Sequence, residues 1–216
     1  MAIAHDAASG PAFAVAASSV TLAHTCSGDD RILVVGGFAN NTAGDLTATY
    51  NGVAMTEIAS RNDSGSRITT FYLVAPATGA NNIVLSWSGS AAVLRVSGSS
   101  YTGAAQSSQP DSSATGADAT SPFQISTTTI ADNCWVVGYL RDTGGNAMTV
   151  EAGTTNRAGS GTSADVLCDN NAAKTPAGSV TLGCTSIGSS GAQIIASIAP
   201  ALPATGFKNL LLLGVG

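Results

Sequence analysis

The 216-residue chain carries a net charge of −5, and only 10% of its residues are charged. That acidic balance excludes binding driven by nucleic-acid phosphates or by anionic membranes, since both need a basic surface. Two lysines, two glutamates and two histidines leave little titratable chemistry for catalysis, and few strong helix formers beside many β-branched and turn residues exclude a helical fold.

In chain order, residues 1–18 read as an N-terminal arm holding His5. They lack the basic and long apolar regions of a secretory signal, so the expectation is cytosolic synthesis without export. Val20–His24 is the first strand, broken by Ser27-Gly28-Asp29-Asp30. Arg31–Phe38 is a nearly continuous apolar run, which implies a central strand buried on both faces. Asn40–Asp45 is a polar loop. Thr49-Tyr50-Asn51-Gly52-Val53-Ala54 is a tight hairpin, because Asn-Gly accepts positive φ at both central positions of a type I′ turn. Arg61–Ser66 reads as the next loop, and Ile68–Val74 as a strand. In the strand Ile83–Trp87 the period of two sets Ile83, Leu85 and Trp87 on one face. Ala92–Val96 follows.

Residues 103–122 form a long Ser/Ala/Gly/Asp/Pro connection, either a linker or a crossover within one sandwich. Strands then fall at Phe123–Thr128 and Cys134–Leu140, with weaker ones near Met148–Ala152, Asp165–Cys168, Ser179–Cys184 and Gln193–Ile198. Arg-Ile-Leu-Val-Val-Gly-Gly-Phe (31–38) and Cys-Trp-Val-Val-Gly-Tyr-Leu (134–140) echo one another, as two central strands in equivalent positions of facing sheets. About a dozen strands and no helix predict an all-β fold, a jelly-roll-like antiparallel β-sandwich. We expect one domain over residues 19–200 and an extended apolar C-terminal tail over 201–216.

The segments His24-Thr25-Cys26-Ser27-Gly28-Asp29-Asp30-Arg31-Ile32-Leu33-Val34-Val35, Thr49–Thr56 and Tyr72–Leu85 together resemble a group of β-sandwich proteins encoded by tailed bacteriophages and related bacterial loci. Its members are mostly virion-associated or surface-exposed and lack an assigned enzymatic activity. The resemblance spans roughly residues 19–200 and implies a virion structural protein, such as a capsid decoration (cement) protein or a head- or tail-attached fibre component. The partners it implies are the major capsid protein or other virion subunits, on the particle exterior. Its motifs are turns and strands, so no catalytic residue carries over.

Candidate chemistry is sparse. His24 lies near Ser27, Asp29 and Asp30, but abundant serines carry little information, and no G-x-S-x-G elbow supports a triad. The acidic turns, Asp63 among them, lack a dense calcium loop, so no metal and no cofactor are expected. Four cysteines contain no C-x-x-C. Cys168 and Cys184 flank a hairpin and are a candidate disulfide, the alternative being free or buried thiols. A carbohydrate-binding or adhesin-like module is the competing function. Trp87 and Trp135 read as core, which leaves Tyr50, next to the hairpin turn, as the exposed aromatic on which a sugar would stack.

The sequence Leu202-Pro203-Ala204-Thr205-Gly206 matches a sortase signal without the membrane segment and basic end such a signal needs, and reads as chance. Phe207, Leu210, Leu211, Leu212 and Leu213 are a liability if exposed. The expectation is that they dock on a neighbouring subunit of a homo-oligomer or on the capsid surface, with Pro200–Pro203 as the spacer, the alternative being that they pack on the protein's own sandwich.

Overall fold

The computed structural model describes residues 2–202 except Ala91, Ser160, Ile187 and Ser189, and is all-β over that range. The first half contains β1 (Ala4–Ala17), β2 (Ser19–Cys26), β3 (Ile32–Ala39), β4 (Leu46–Tyr50), β5 (Val53–Ala54), β6 (Thr56–Asp63), β7 (Ser66–Val74), β8 (Gly79–Trp87) and β9 (Ala92–Thr102). The second half contains β10 (Ser112–Asp118), β11 (Phe123–Thr128), β12 (Trp135–Asp142), β13 (Met148–Val150), β14 (Thr155–Ala158), β15 (Asp165–Asp169), β16 (Ser179–Ser186) and β17 (Gly191–Ile198).

Each half is its own sandwich. The first pairs β1-β9-β3-β7-β6 with β2-β8-β4-β5, and the second pairs β10-β17-β12-β15-β14 with β11-β16-β13. Both have the strand order of a jelly roll, antiparallel throughout. The expected single sandwich over 19–200 is therefore corrected to two of the same topology, in which β3 and β12 are equivalent.

The two five-stranded sheets lie face to face, giving four layers. Leu33, Val35, Phe71, Leu94 and Val96 pack inward against Ile83, Leu85 and Trp87 of the first small sheet. Val136, Leu140, Val166, Cys168 and Ile195 pack against Leu182 and Cys184 of the second. The alternate residues of the large sheets meet each other: Ile32, Val34 and Tyr101 with Trp135, Val137 and Ile198, and Phe38 and Ile68 with Tyr139, Leu167 and Ile194. This is why the apolar runs at 32–39 and 135–142 are buried at every position. Both strand faces are covered, so polar alternation is absent.

The sheets face in opposite lateral order. β1 lies over β14, β3 over β12, and β6 over β10 and β17. A pseudo-two-fold axis therefore runs along β3 and β12. Gly36 and Tyr139 occupy equivalent positions and face each other, so a Cβ on Gly36 would overlap the Tyr139 ring. One register step on, the Arg141 guanidinium sits 3.9 Å from the centroid of the Phe38 ring.

Three sequence expectations are corrected here. The supposed arm of residues 1–18 is mostly β1, paired with β9 from Ala4↔Thr102 to Ala17↔Ala92. The supposed connection over 103–122 contains β10, paired with β17 along its whole length. The supposed loop Arg61–Ser66 is the end of β6, a two-residue turn at Ser64-Gly65 (φ 46° and 76°) and the start of β7. Asn51-Gly52 does form the expected turn, with φ of 51° and 76°.

Candidate docking cleft and buried polar sites

His24 on β2 is 2% exposed and lies edge-on to Tyr50. Its Nδ1 is 3.0 Å from Ser9 Oγ, and its Nε2 is 3.1 Å from Ser100 Oγ. Ser100 donates to Asp6 Oδ2 at 2.7 Å, and Asp6 also accepts from the Ser27 amide at 2.8 Å and from the Ser27 hydroxyl. With the Ser100 proton committed to Asp6, the imidazole donates from Nε2 and accepts at Nδ1. The carboxylate holds a serine, not the imidazole, so this is not the order of a Ser-His-Asp triad. It is a polar pin tying β1, β2 and β9 together. Burial pushes the imidazole pKa down to about 4. Burial alone would raise the Asp6 carboxyl, but the hydrogen bonds from Ser27 and Ser100 outweigh it and hold it below the usual value.

The face between the halves carries two buried carboxylates. Asp165 meets Arg141 at 3.0 Å, Arg95 of the first half at 3.3 Å, and accepts from the Tyr139 hydroxyl at 2.9 Å. Asp169 accepts a bidentate pair from Arg157, at 2.6 and 2.9 Å, and a 2.8 Å bond from Tyr101 of the first half. Burial, then the adjacent carboxylates, push both tyrosine hydroxyls well above their ordinary range. These groups fix which residue of one half meets which of the other. Arg95, Arg141, Arg157, Asp165 and Asp169 are thereby consumed in structure.

Tyr50 is not an exposed aromatic. It is fully buried, and its hydroxyl donates toward Gly79 O at 3.2 Å and His24 O at 3.3 Å. The strand register decides this: Leu46, Ala48 and Tyr50 alternate onto the inner face of β4. A shallow depression of about 430 Å³ beside the hairpin is lined by Thr49, Asn51, Asn81 and Asn82, with no aromatic ring. Trp87 and Trp135 are core, as expected.

All four cysteines are free and buried. Cys168 and Cys184 sit in the two different sheets of the second sandwich, not across one hairpin, because β15 pairs with β12 and β14 while β16 pairs with β11 and β13. The candidate disulfide is thus corrected to two buried thiols. Burial raises that of Cys184 to about 12 and that of Cys134 to about 11. Among the described residues, no three His, Cys, Asp or Glu side chains converge to hold a metal. Asp63 instead accepts from Thr143 at 3.0 Å and Ser190 at 2.6 Å.

An apolar cleft of about 530 Å³ lies at one end of the molecule, lined by Ala2, Ala131, Asp132, Asn133, Ala173, Pro200, Ala201 and Leu202. Two of the most exposed large apolar side chains, Ile130 (75%) and Leu202 (87%), are at or next to it. Phe207 and Leu210–Leu213 lie outside the described residues, but the chain that leads to them forms one wall of the cleft. Sequence reasoning missed the cleft, whose lining comes from segments distant in the chain.

No family model matches the chain, and no curated protein matches it significantly. Among solved structures it is similar to the major capsid protein P2 from bacteriophage PM2, at a TM-score of 0.30 and 8% identity over 95% of this chain and 99% of that one. That likeness is too remote to carry an argument about fold or function.

Proposed function

We propose that this is a non-enzymatic structural subunit of a phage particle, and specifically a capsid decoration protein that binds the particle exterior. The observation that carries the reading is the apolar end of the molecule. There a 530 Å³ cleft, the exposed Ile130 and Leu202, and the root of a tail rich in leucine are brought together. Clustered apolar exposure of this kind marks an interaction surface. The sequence resemblance to phage β-sandwich proteins supplies the kind of partner. The low charge and hydroxyl-rich outer strands suit a lattice, where many weak copies gain by avidity.

The test is co-sedimentation with purified particles, comparing the full chain with a chain ending at Pro200. Saturable binding by the full chain, lost on truncation, is the expected result. A full chain that ignores particles but binds members of a glycan array overturns the reading in favour of a carbohydrate-binding module.

A further inference from the structure

The chain has two histidines, and both bear on β1. None of the 14 residues of this strand is buried, and Phe13 and Val15 are each 66% exposed. Its ladder to β9 is broken by register shifts between His5 and Ala7, Ser9 and Ala12, and Ala14 and Ala17. β10, which holds the equivalent edge of the second half, pairs with β17 from Ser112↔Ser197 to Asp118↔Gly191 without a break. Side chains make up the difference along the first part of β1. Asp6 accepts from Ser27 and Ser100, Ser9 meets His24, and the His5 ring stands edge-on to Tyr101 at 5.7 Å. The strand is anchored at both ends: Ile3 is buried just before it, and just after it Ser18 O accepts from Trp87 N at 2.8 Å.

We propose that β1 is an acid-released strap: when His24 takes up a proton, residues 6–14 lift from β9 and β2 while the cores of both sandwiches stay folded. The imidazole is 2% exposed, and Ser9 of β1 is the partner that meets its Nδ1. A cation at that place needs water. Of the elements around it, β2, β4 and β9 each carry buried side chains, and β1 carries none, so lifting β1 is the least costly way to admit water. The titratable groups around His24 are Asp6 and His5 of β1 and Tyr50 of β4, whose hydroxyl neighbours Cys26 of β2. Asp6 favours the imidazolium, but its carboxylate is already engaged by Ser27 and Ser100, and burial outweighs it. His5 faces Arg157 of β14 and Asp169 of β15, beside Asp6 and Tyr101. Burial and then the Arg157 charge lower its pKa, so its protonation adds to the same release.

The test is hydrogen–deuterium exchange read by mass spectrometry on the full chain at pH 7.5 and 5, corrected for the intrinsic pH dependence of exchange. An imidazole held to about 4 under the closed strap, and returned to 6.5 once hydrated, raises the opening constant about thirtyfold at pH 5. Residues 7–14 should lose protection by that factor. Low urea should leave their rate unchanged, because a local opening exposes little surface. Residues 32–39 of β3, buried at every position, should exchange far more slowly and respond to urea. His24→Gln should remove most of the acid response. Ser9→Ala keeps the imidazole and takes away its partner on β1, so it should speed exchange of residues 7–14 at pH 7.5 more than that of residues 32–39. Four results each overturn the proposal: the two stretches exchanging in step with one urea dependence, no acceleration of residues 7–14 in acid, a full acid response in His24→Gln, or a Ser9→Ala strap as protected as the wild type.

Discussion

The buried His24 makes stability fall in acid over a defined window. In the unfolded chain its imidazole has an ordinary pKa near 6.5, and in the fold it is held to about 4. The folded state therefore binds fewer protons between these values, and stability declines as pH falls. The contribution is complete above pH 6.5, is lost progressively down to pH 4, and levels off once the folded imidazole also protonates. The whole span corresponds to about 3 kcal/mol, an upper value for a site that relaxes around the charge. For a chain of this length that is roughly 6–12 °C in Tm. Burial lowers the pKa of His5 too, so it acts in the same direction. Asp6 adds its own loss only below its ordinary 3.8, because its folded pKa is lowered. The assay is urea unfolding at intervals from pH 7.5 to 4, on the wild type, His24→Gln and His5→Gln. His24→Gln should be less stable at neutral pH yet lose clearly less between pH 6.5 and 4. Parallel stability curves for wild type and His24→Gln across that window would refute the reasoning.

Gly36→Ala places a methyl group in the Tyr139 ring and should cost about 1–3 kcal/mol, read by chemical denaturation, with Gly36→Ala/Tyr139→Leu recovering part of the loss. Asp169→Asn leaves the part-buried Arg157 without its carboxylate but still bonded to Asn171 and should cost about 2–3 kcal/mol, whereas Arg67→Met, which removes a pair whose Asp45 is mostly exposed, should cost less than about 1 kcal/mol. All four cysteines should resist a thiol reagent in the native protein and react in full once it is unfolded without reductant; fewer than four reactive thiols would reveal a disulfide. Tyr50→Ala should lower stability by about 3–5 kcal/mol through a core cavity, and any loss of ligand binding should track unfolding.

The strands that pack both faces were legible because burial leaves an apolar run. Ile32–Ala39 and Trp135–Asp142 announce themselves, and even their equivalence shows in the sequence. The strands that were missed are edge strands. β1, β6, β10 and β14 carry Ala, Ser, Gly, Thr, Asn and Asp with no strong apolar period, and they exist because a neighbouring strand offers them a ladder of backbone bonds. Pairing decided over propensity there. Missing β1 and β10 hid the first strand of each jelly roll, and with them the division into two. Tyr50 was misplaced for a related reason: beside a hairpin turn it looks accessible, but the alternation of β4 commits it inward. The cleft left no local signal, since its lining is gathered from residues 2, 131–133, 173 and 200–202, far apart in the chain.

The facing pair at Gly36 and Tyr139 makes the face between the halves asymmetric. A two-fold axis along β3 and β12 sets each position against its own counterpart. Two identical sandwiches joined this way would confront tyrosine with tyrosine, which overlap, or glycine with glycine, which leave a hole. With the ring on one half and no Cβ facing it on the other, each half fits its complement better than it would fit a duplicate of itself. At this pair the two halves are complements and not interchangeable, which gives the face between them a direction.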